Sequence, residues 1–157
     1  MKELVNLLIR KNLSVSTMES CTGGGLANAI TNIPDASKVI SFSAVTYSNE
    51  AKIKMGVSKE TIDKYCVYSK EVAKEMAKTI SEYAGSSYGI GVTGKLKKSD
   101  ENNLSGEDDL VYYCIYDRIN DVYYEDNLYV THDNRIDNKQ EVINKIVEKM
   151  LEIIKNN

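Results

Sequence analysis

The chain has 157 residues, 20 Lys and Arg against 23 Asp and Glu for a net charge of −3, 42% hydrophobic and 27% charged residues. That length and balance fit one folded domain, residues 1–157, and exclude a disordered chain; the mild acidity leaves no footprint for general nucleic-acid binding. The apolar stretch at residues 4–9 is too short and interrupted for a signal peptide or a membrane span, so a cytoplasmic protein with no membrane partner is expected.

Residues 2–11 read as a helix with Leu4, Val5, Leu7 and Leu8 on its apolar face, and residues 14–18 as a short strand. Leu26 to Ile30 continue as a helix that ends near Pro34, and residues 39–46 read as a second strand. Helices follow at 48–55, after Ser58, and at 69–83, each opening on a serine whose hydroxyl suits an N-cap. Residues 88–93 are strand-like, and 94–109 are too polar and aperiodic for regular structure. Residues 111–116 and 122–130, rich in β-branched and aromatic side chains, predict an antiparallel hairpin. A last helix is expected over 139–154, with Val142, Ile143, Ile146, Val147, Met150 and Ile154 packing inward. This order predicts a mixed sheet with helices on both faces.

The segment Thr17-Met18-Glu19-Ser20-Cys21-Thr22-Gly23-Gly24 places a hydroxyl, a thiol and a glycine run where a strand hands over to a helix. Unpaired N–H groups at a helix start carry partial positive charge, and glycine lets an anion come close. A nucleophile there needs a proton acceptor, and the one histidine, His132, lies in an Asn/Asp-rich segment typical of a solvated loop. For Ser20 the better base is a lysine whose pKa is lowered by burial, and Lys52, just beyond the second strand, is the candidate. Adjacent strand ends in a layered α/β protein gather on one edge, which brings the two within reach. Cys21 remains an alternative nucleophile or a buried inert thiol, and Glu19 either orients a neighbour or bonds backbone amides. Arg135 and Lys139 lie four apart, a spacing that suits a phosphate or a solvated face. The spacing of Tyr47 and Lys52 and the glycine run match no nicotinamide redox signature. Cys21, Cys66 and Cys114, odd in number and widely spaced, read as reduced thiols, and no metal or cofactor is implied.

Together these pieces resemble the C-terminal domain family of the competence/damage-inducible protein CinA, which also occurs as a stand-alone nicotinamide-nucleotide amidase. Glu19 to Gly24 is similar to the family's E-S-C-T-G-G signature, and Val45 to Lys52 to its V-x-Y-S-N-E-A-K segment. Gly56-Val57 with Ile62, Ser69 to Ala77, and Val92-Thr93-Gly94 match the blocks that follow. The resemblance covers essentially the whole chain, without the larger molybdopterin-like domain that many members carry. It implies a three-layer α/β/α sandwich, a homo-oligomer, for which the tyrosine-rich hairpin offers a contact surface, and hydrolysis of the carboxamide of nicotinamide mononucleotide to nicotinate mononucleotide and ammonia. Ser20 would then be the nucleophile, Lys52 its base and Tyr47 a hydrogen-bonding partner near them. Glu19, Cys21, Thr22, Gly23, Gly24, Thr93 and Gly94 would shape the substrate site, and Arg135 with Lys139, where the family usually has arginine, would hold the phosphate. After Gly94 the family's I-A-G-P-x-G-G and K-P-V-G-T-V loops are replaced by charged residues, and Cys66-Val67-Tyr68 replaces Gly-Ala-Val. Those departures leave open a catalytically impaired relative that binds a nucleotide or a protein, or a hydrolase with an altered substrate.

Overall fold

Along Tyr88-Gly89-Ile90-Gly91-Val92 a side chain alternates with none, and this alternation sets how the layers stack. The computed structural model describes residues 1–97 and 105–156. Its elements are α1 (Lys2–Arg10), β1 (Val15–Glu19), α2 (Gly25–Thr31), β2 (Ser43–Val45), α3 (Asn49–Lys54), α4 (Lys59–Tyr65), α5 (Lys70–Ala84), β3 (Tyr88–Gly94), β4 (Leu110–Asp117), β5 (Val122–Tyr129) and α6 (Arg135–Asn156). The strands form one sheet in the order β2-β1-β3-β4-β5. β1 runs parallel to β2 and β3, and β3-β4-β5 are antiparallel.

Strand side chains point alternately to opposite faces. Val15, Tyr88, Ile90, Val92, Val111, Tyr113 and Ile115 therefore share one face and pack against apolar residues of α1, α2 and α6. Met18 on the other face meets Val72, Met76 and Ile80 of α5, and Cys114 and Tyr116 meet Ala73 and Ala77. The result is the expected single-domain α/β sandwich with a mixed sheet. Gly89 and Gly91 face α5, and a Cβ on either would lie 2.0 Å from the Ala77 carbonyl oxygen or 2.2 Å from that of Ala73. The helix thus rests directly on the backbone of β3.

Ser48, Ser58 and Ser69 cap α3, α4 and α5 as expected, accepting from the N–H groups of Ala51, Thr61 and Val72. Each such cap contributes about 1 kcal/mol. The second strand is shorter than the expected 39–46. The Val39 carbonyl accepts from Val15 N–H, after a 3-10 turn at Ala36–Lys38, and the ladder with β1 begins only at Ser43. The Val39 side chain is drawn into the core at the sheet edge, so residues 39–42 serve as a connector. The last helix begins at Arg135, not Lys139, because the Asn134 side chain accepts from Asp137 N–H and supplies a cap. The expected 94–109 loop lies partly outside the described residues.

Candidate active site

Parallel strands β1, β2 and β3 deliver their carboxyl ends to one edge, the place where ligands bind in open α/β sheets. Ser20 follows β1 directly and is held by its N–H to the Val92 carbonyl (3.1 Å), while Thr46 N–H reaches the Glu19 carbonyl (2.8 Å). Lys52, on α3, sends its Nζ back to this edge. There it donates to Ser20 Oγ at 3.1 Å and to the Thr46 carbonyl at 2.7 Å. Only 1% of Lys52 is exposed, and burial pushes its pKa down from 10.5 to about 8. An amine with that pKa is partly neutral near neutral pH, so it can take a proton from the hydroxyl beside it.

Glu19 is not directed at a substrate. Its fully buried carboxylate accepts from Thr17 Oγ1 (3.0 Å), Thr22 Oγ1 (2.7 Å), Leu26 N–H (3.0 Å) and Ala27 N–H (2.8 Å). The anion at the start of α2 is thus one the chain supplies itself. Glu19 fastens the turn that carries Ser20 to the helix behind it, which was the second of the two roles open to it. Gly23 and Gly24 take φ of +63° and +88°, the left-handed conformation that favours glycine. The Gly23 N–H turns onto the Ser20 carbonyl. The N–H groups of Cys21 and Thr22 follow Ser20 in the same turn.

Cys21 is buried, and burial pushes its thiol up to about 12, so it stays protonated and of the two candidate nucleophiles it is the inert one. Thr93 is also turned away from the cleft, its Oγ1 donating to the Val67 carbonyl at 3.0 Å. Tyr47 lies on the cleft, but its hydroxyl accepts from Arg135 Nη2 at 3.1 Å instead of bonding Ser20 or Lys52. A Cβ added to Gly23 would sit 3.1 Å from Lys139 Nζ, so this ammonium stands over the glycine turn. His132 is remote in role: its ring faces Glu141 at 3.8 Å on the exposed side of α6.

The cavity at Ser20 is narrow, about 40 Å³. Ser20, Cys21, Tyr47, Gly94 and Arg135 line it as expected from sequence. Tyr68, Lys95, Leu96 and Lys97 complete the wall and come from the segments that depart from the family pattern. A further residue escaped the sequence reading. Asn138 is fully buried on α6 and donates to the carbonyls of Leu96 (2.7 Å) and His132 (3.1 Å) while accepting from His132 N–H (2.9 Å). It pins the Leu96 wall to the helix that carries Arg135 and Lys139. Its signal was present: Asn138 extends the Val142, Ile146, Met150, Ile154 stripe by one helical step, and a polar residue on an apolar stripe is a buried one that needs partners.

A three-layer α/β domain with a serine and a buried lysine paired at the carboxyl edge of its parallel strands defines the class. The chain belongs to the CinA C-terminal domain family, whose model matches residues 1–157. Curated relatives named competence-damage inducible protein include one from Clostridium botulinum (strain ATCC 19397 / Type A), 50% identical over 92 residues, or 58% of this chain and 22% of that protein. One from Clostridium perfringens (strain 13 / Type A) is 52% identical over 89 residues, 56% of this chain and 22% of that protein. The match thus spans about a fifth of these relatives' length. Among solved structures, a competence/damage-inducible protein from Agrobacterium tumefaciens superposes with a TM-score of 0.86 at 28% identity, covering 98% of this chain and 94% of that one. A CinA superfamily protein from Klebsiella pneumoniae 700603 shares the fold at a TM-score of 0.91 and 23% identity, covering 99% and 96% of the two chains. No described helix is long and apolar enough to cross a membrane.

Proposed function

We propose that the chain hydrolyses the carboxamide of a pyridine nucleotide, nicotinamide mononucleotide being the substrate the family resemblance implies. The observation that carries this reading is the contact of 3.1 Å between Lys52 Nζ and Ser20 Oγ, made by a lysine whose pKa burial has lowered to about 8. An amide is a poor electrophile, so the serine must lose its proton as it attacks. Ser20 Oγ bonds to the carbonyl carbon, its proton passes to neutral Lys52, and the carbonyl oxygen becomes an oxyanion facing the N–H groups of Cys21 and Thr22. The C–N bond then breaks, Lys52 returns the proton to the leaving nitrogen, and ammonia departs. Water, deprotonated by the same amine, attacks the acyl ester and frees the carboxylate and Ser20. Arg135 and Lys139 would hold the nucleotide phosphate.

The test is ammonia release from nicotinamide mononucleotide by the purified chain, with Ser20→Ala alongside. Serine-dependent release supports the reading, and none from folded protein refutes it. A second reading, a relative that binds without turnover, is favoured by Lys95, Leu96 and Lys97, which stand in the cavity wall in place of the family's glycine- and proline-rich loop. The cavity, about 40 Å³, is far below the ~300 Å³ at which small-molecule sites usually begin. On either reading the bond between Tyr47 and Arg135 must therefore open to admit the mononucleotide. On the binding reading the mononucleotide would associate with no ammonia formed.

A further inference from the structure

The charged residues lining the Ser20 cavity are Lys95, Lys97 and Arg135, with no carboxylate among the described lining residues, in a chain of net charge −3. The cations come from two layers of the sandwich. Arg135 and Lys139 are on α6, and Lys97 reaches toward them through Asp133 just before that helix. Lys95 leaves β3 on the other side, with its Nζ 5.7 Å from the centre of the Tyr68 ring, at the corner that leads into α5.

Lys95 differs from an ordinary surface lysine. Its side chain is 7% exposed, yet its polar contacts are long: 3.3 Å to the Gly106 carbonyl and 3.5 Å to Asp108 Oδ1, whose own side chain is 43% exposed. An ammonium withdrawn from water loses strong hydration, and a loose pair with a half-solvated carboxylate compensates it poorly. A carboxylate offered from within the cavity would be a better partner, because charge-assisted N–H···O bonds are short and strong when water is excluded.

We propose that Lys95 forms a second anion subsite in this cleft, and that the ligand is a phosphorylated compound carrying a carboxylate as a separate group. Its phosphate is held by Arg135 and Lys139, and its carboxylate takes the Lys95 ammonium from Asp108. The subsite belongs to this chain's own departures, since Lys95 stands where the family pattern after Thr93-Gly94 is apolar. The proposal rests on the nucleotide reading of the cleft and goes beyond it by naming a second charge on the ligand. It also makes the cleft hold the carboxylate product of hydrolysis more tightly than the carboxamide it comes from.

Binding tests this independently of turnover. In the full chain bearing Ser20→Ala, calorimetry compares nicotinamide mononucleotide with nicotinate mononucleotide, two ligands that differ only in carboxamide against carboxylate. The acid should bind about tenfold tighter or more. Adding Lys95→Gln should bring the two within about threefold, while adding Asp108→Asn, which frees the ammonium, should tighten the acid further and leave the amide unchanged. The two variants move in opposite directions, so a loss of folding in Lys95→Gln leaves Asp108→Asn to decide. Equal binding of acid and amide, a preference that survives Lys95→Gln, or no tightening in Asp108→Asn overturns the subsite while leaving the nucleotide reading intact. No binding of either mononucleotide overturns both.

Discussion

Replacing Lys52 by methionine should abolish turnover and, near neutral pH, make the protein more stable. Lowering the pKa from 10.5 to about 8 corresponds to a cost of about 3 kcal/mol for keeping the buried amine charged. Below about pH 8 the folded and unfolded chains both hold that proton, and the full cost stands. Between about pH 8 and 10.5 the unfolded chain holds the proton that the folded chain has released, so wild-type stability rises with pH. Methionine carries no charge and fills a similar volume, but it leaves the Thr46 carbonyl without its donor, at a cost of roughly 1–2 kcal/mol. The expected net gain at pH 7 is about 1–2 kcal/mol, or roughly 3–6 °C in Tm for a domain of this size. Thermal denaturation of wild type and Lys52→Met at pH 7 and pH 9.5 reads it directly. The advantage should shrink by about 2 kcal/mol between the two pH values. A gap in Tm that is the same at both would refute a buried amine of lowered pKa. Wild-type activity follows the same titration. About a tenth of Lys52 is neutral at pH 7, against roughly one part in 3,000 for an unperturbed lysine, so the rate should climb with pH and level off above about pH 8.

Glu19→Gln replaces a carboxylate that satisfies donors on both sides of the turn, and should cost about 2 kcal/mol in urea denaturation while lowering kcat more than it raises KM. Gly91→Ala forces a methyl group into the Ala73 carbonyl and should destabilise by about 3 kcal/mol or prevent folding, whereas Gly85→Ala has no neighbour to meet and costs only its left-handed backbone strain; soluble yield and urea midpoints separate the two. Arg135→Ala should raise KM for a phosphate-bearing substrate about tenfold, with weaker dependence on salt, while Tyr47→Phe leaves kcat within about twofold because the hydroxyl bonds Arg135 and not the reacting pair.

The layered fold was legible because each layer writes its own period: four-residue steps on α1, α5 and α6, and β-rich runs with turn residues between them for the strands. Serine caps located the starts of α3, α4 and α5 to the residue. Where the chain departs, a local interaction overrides a pattern that composition alone suggests. Val39 and Ile40 are β-prone, yet Val39 is taken by the core and the edge strand starts later. Asn134 looked like loop and proved to cap α6. Ser20 and Lys52 could be paired because parallel strands bring their carboxyl ends together, an argument from topology and not from spacing. Lys95 was out of reach for a different reason, because its contact with Tyr68 joins segments that no local window contains. Asn138 showed as a polar step on an apolar stripe, but its partner, the Leu96 carbonyl, did not.

The seating of α5 on the glycines of β3 governs how the molecule breathes. β3 is bonded on both sides, to β1 and to β4, and a helix lies against its bare backbone with no side-chain cushion to loosen. Its amides should exchange with deuterium only through global unfolding, and those of Met76 to Ile80 should exchange with them. Ser20 hangs by one hydrogen bond from this slowest-exchanging strand, through the Val92 carbonyl. The mouth of the cleft, with Tyr47 and Arg135, is made of exposed side chains free to part within nanoseconds to microseconds. The protein thus separates its timescales, with a nucleophile fixed to the most persistent part of the fold and an entrance assembled from the least.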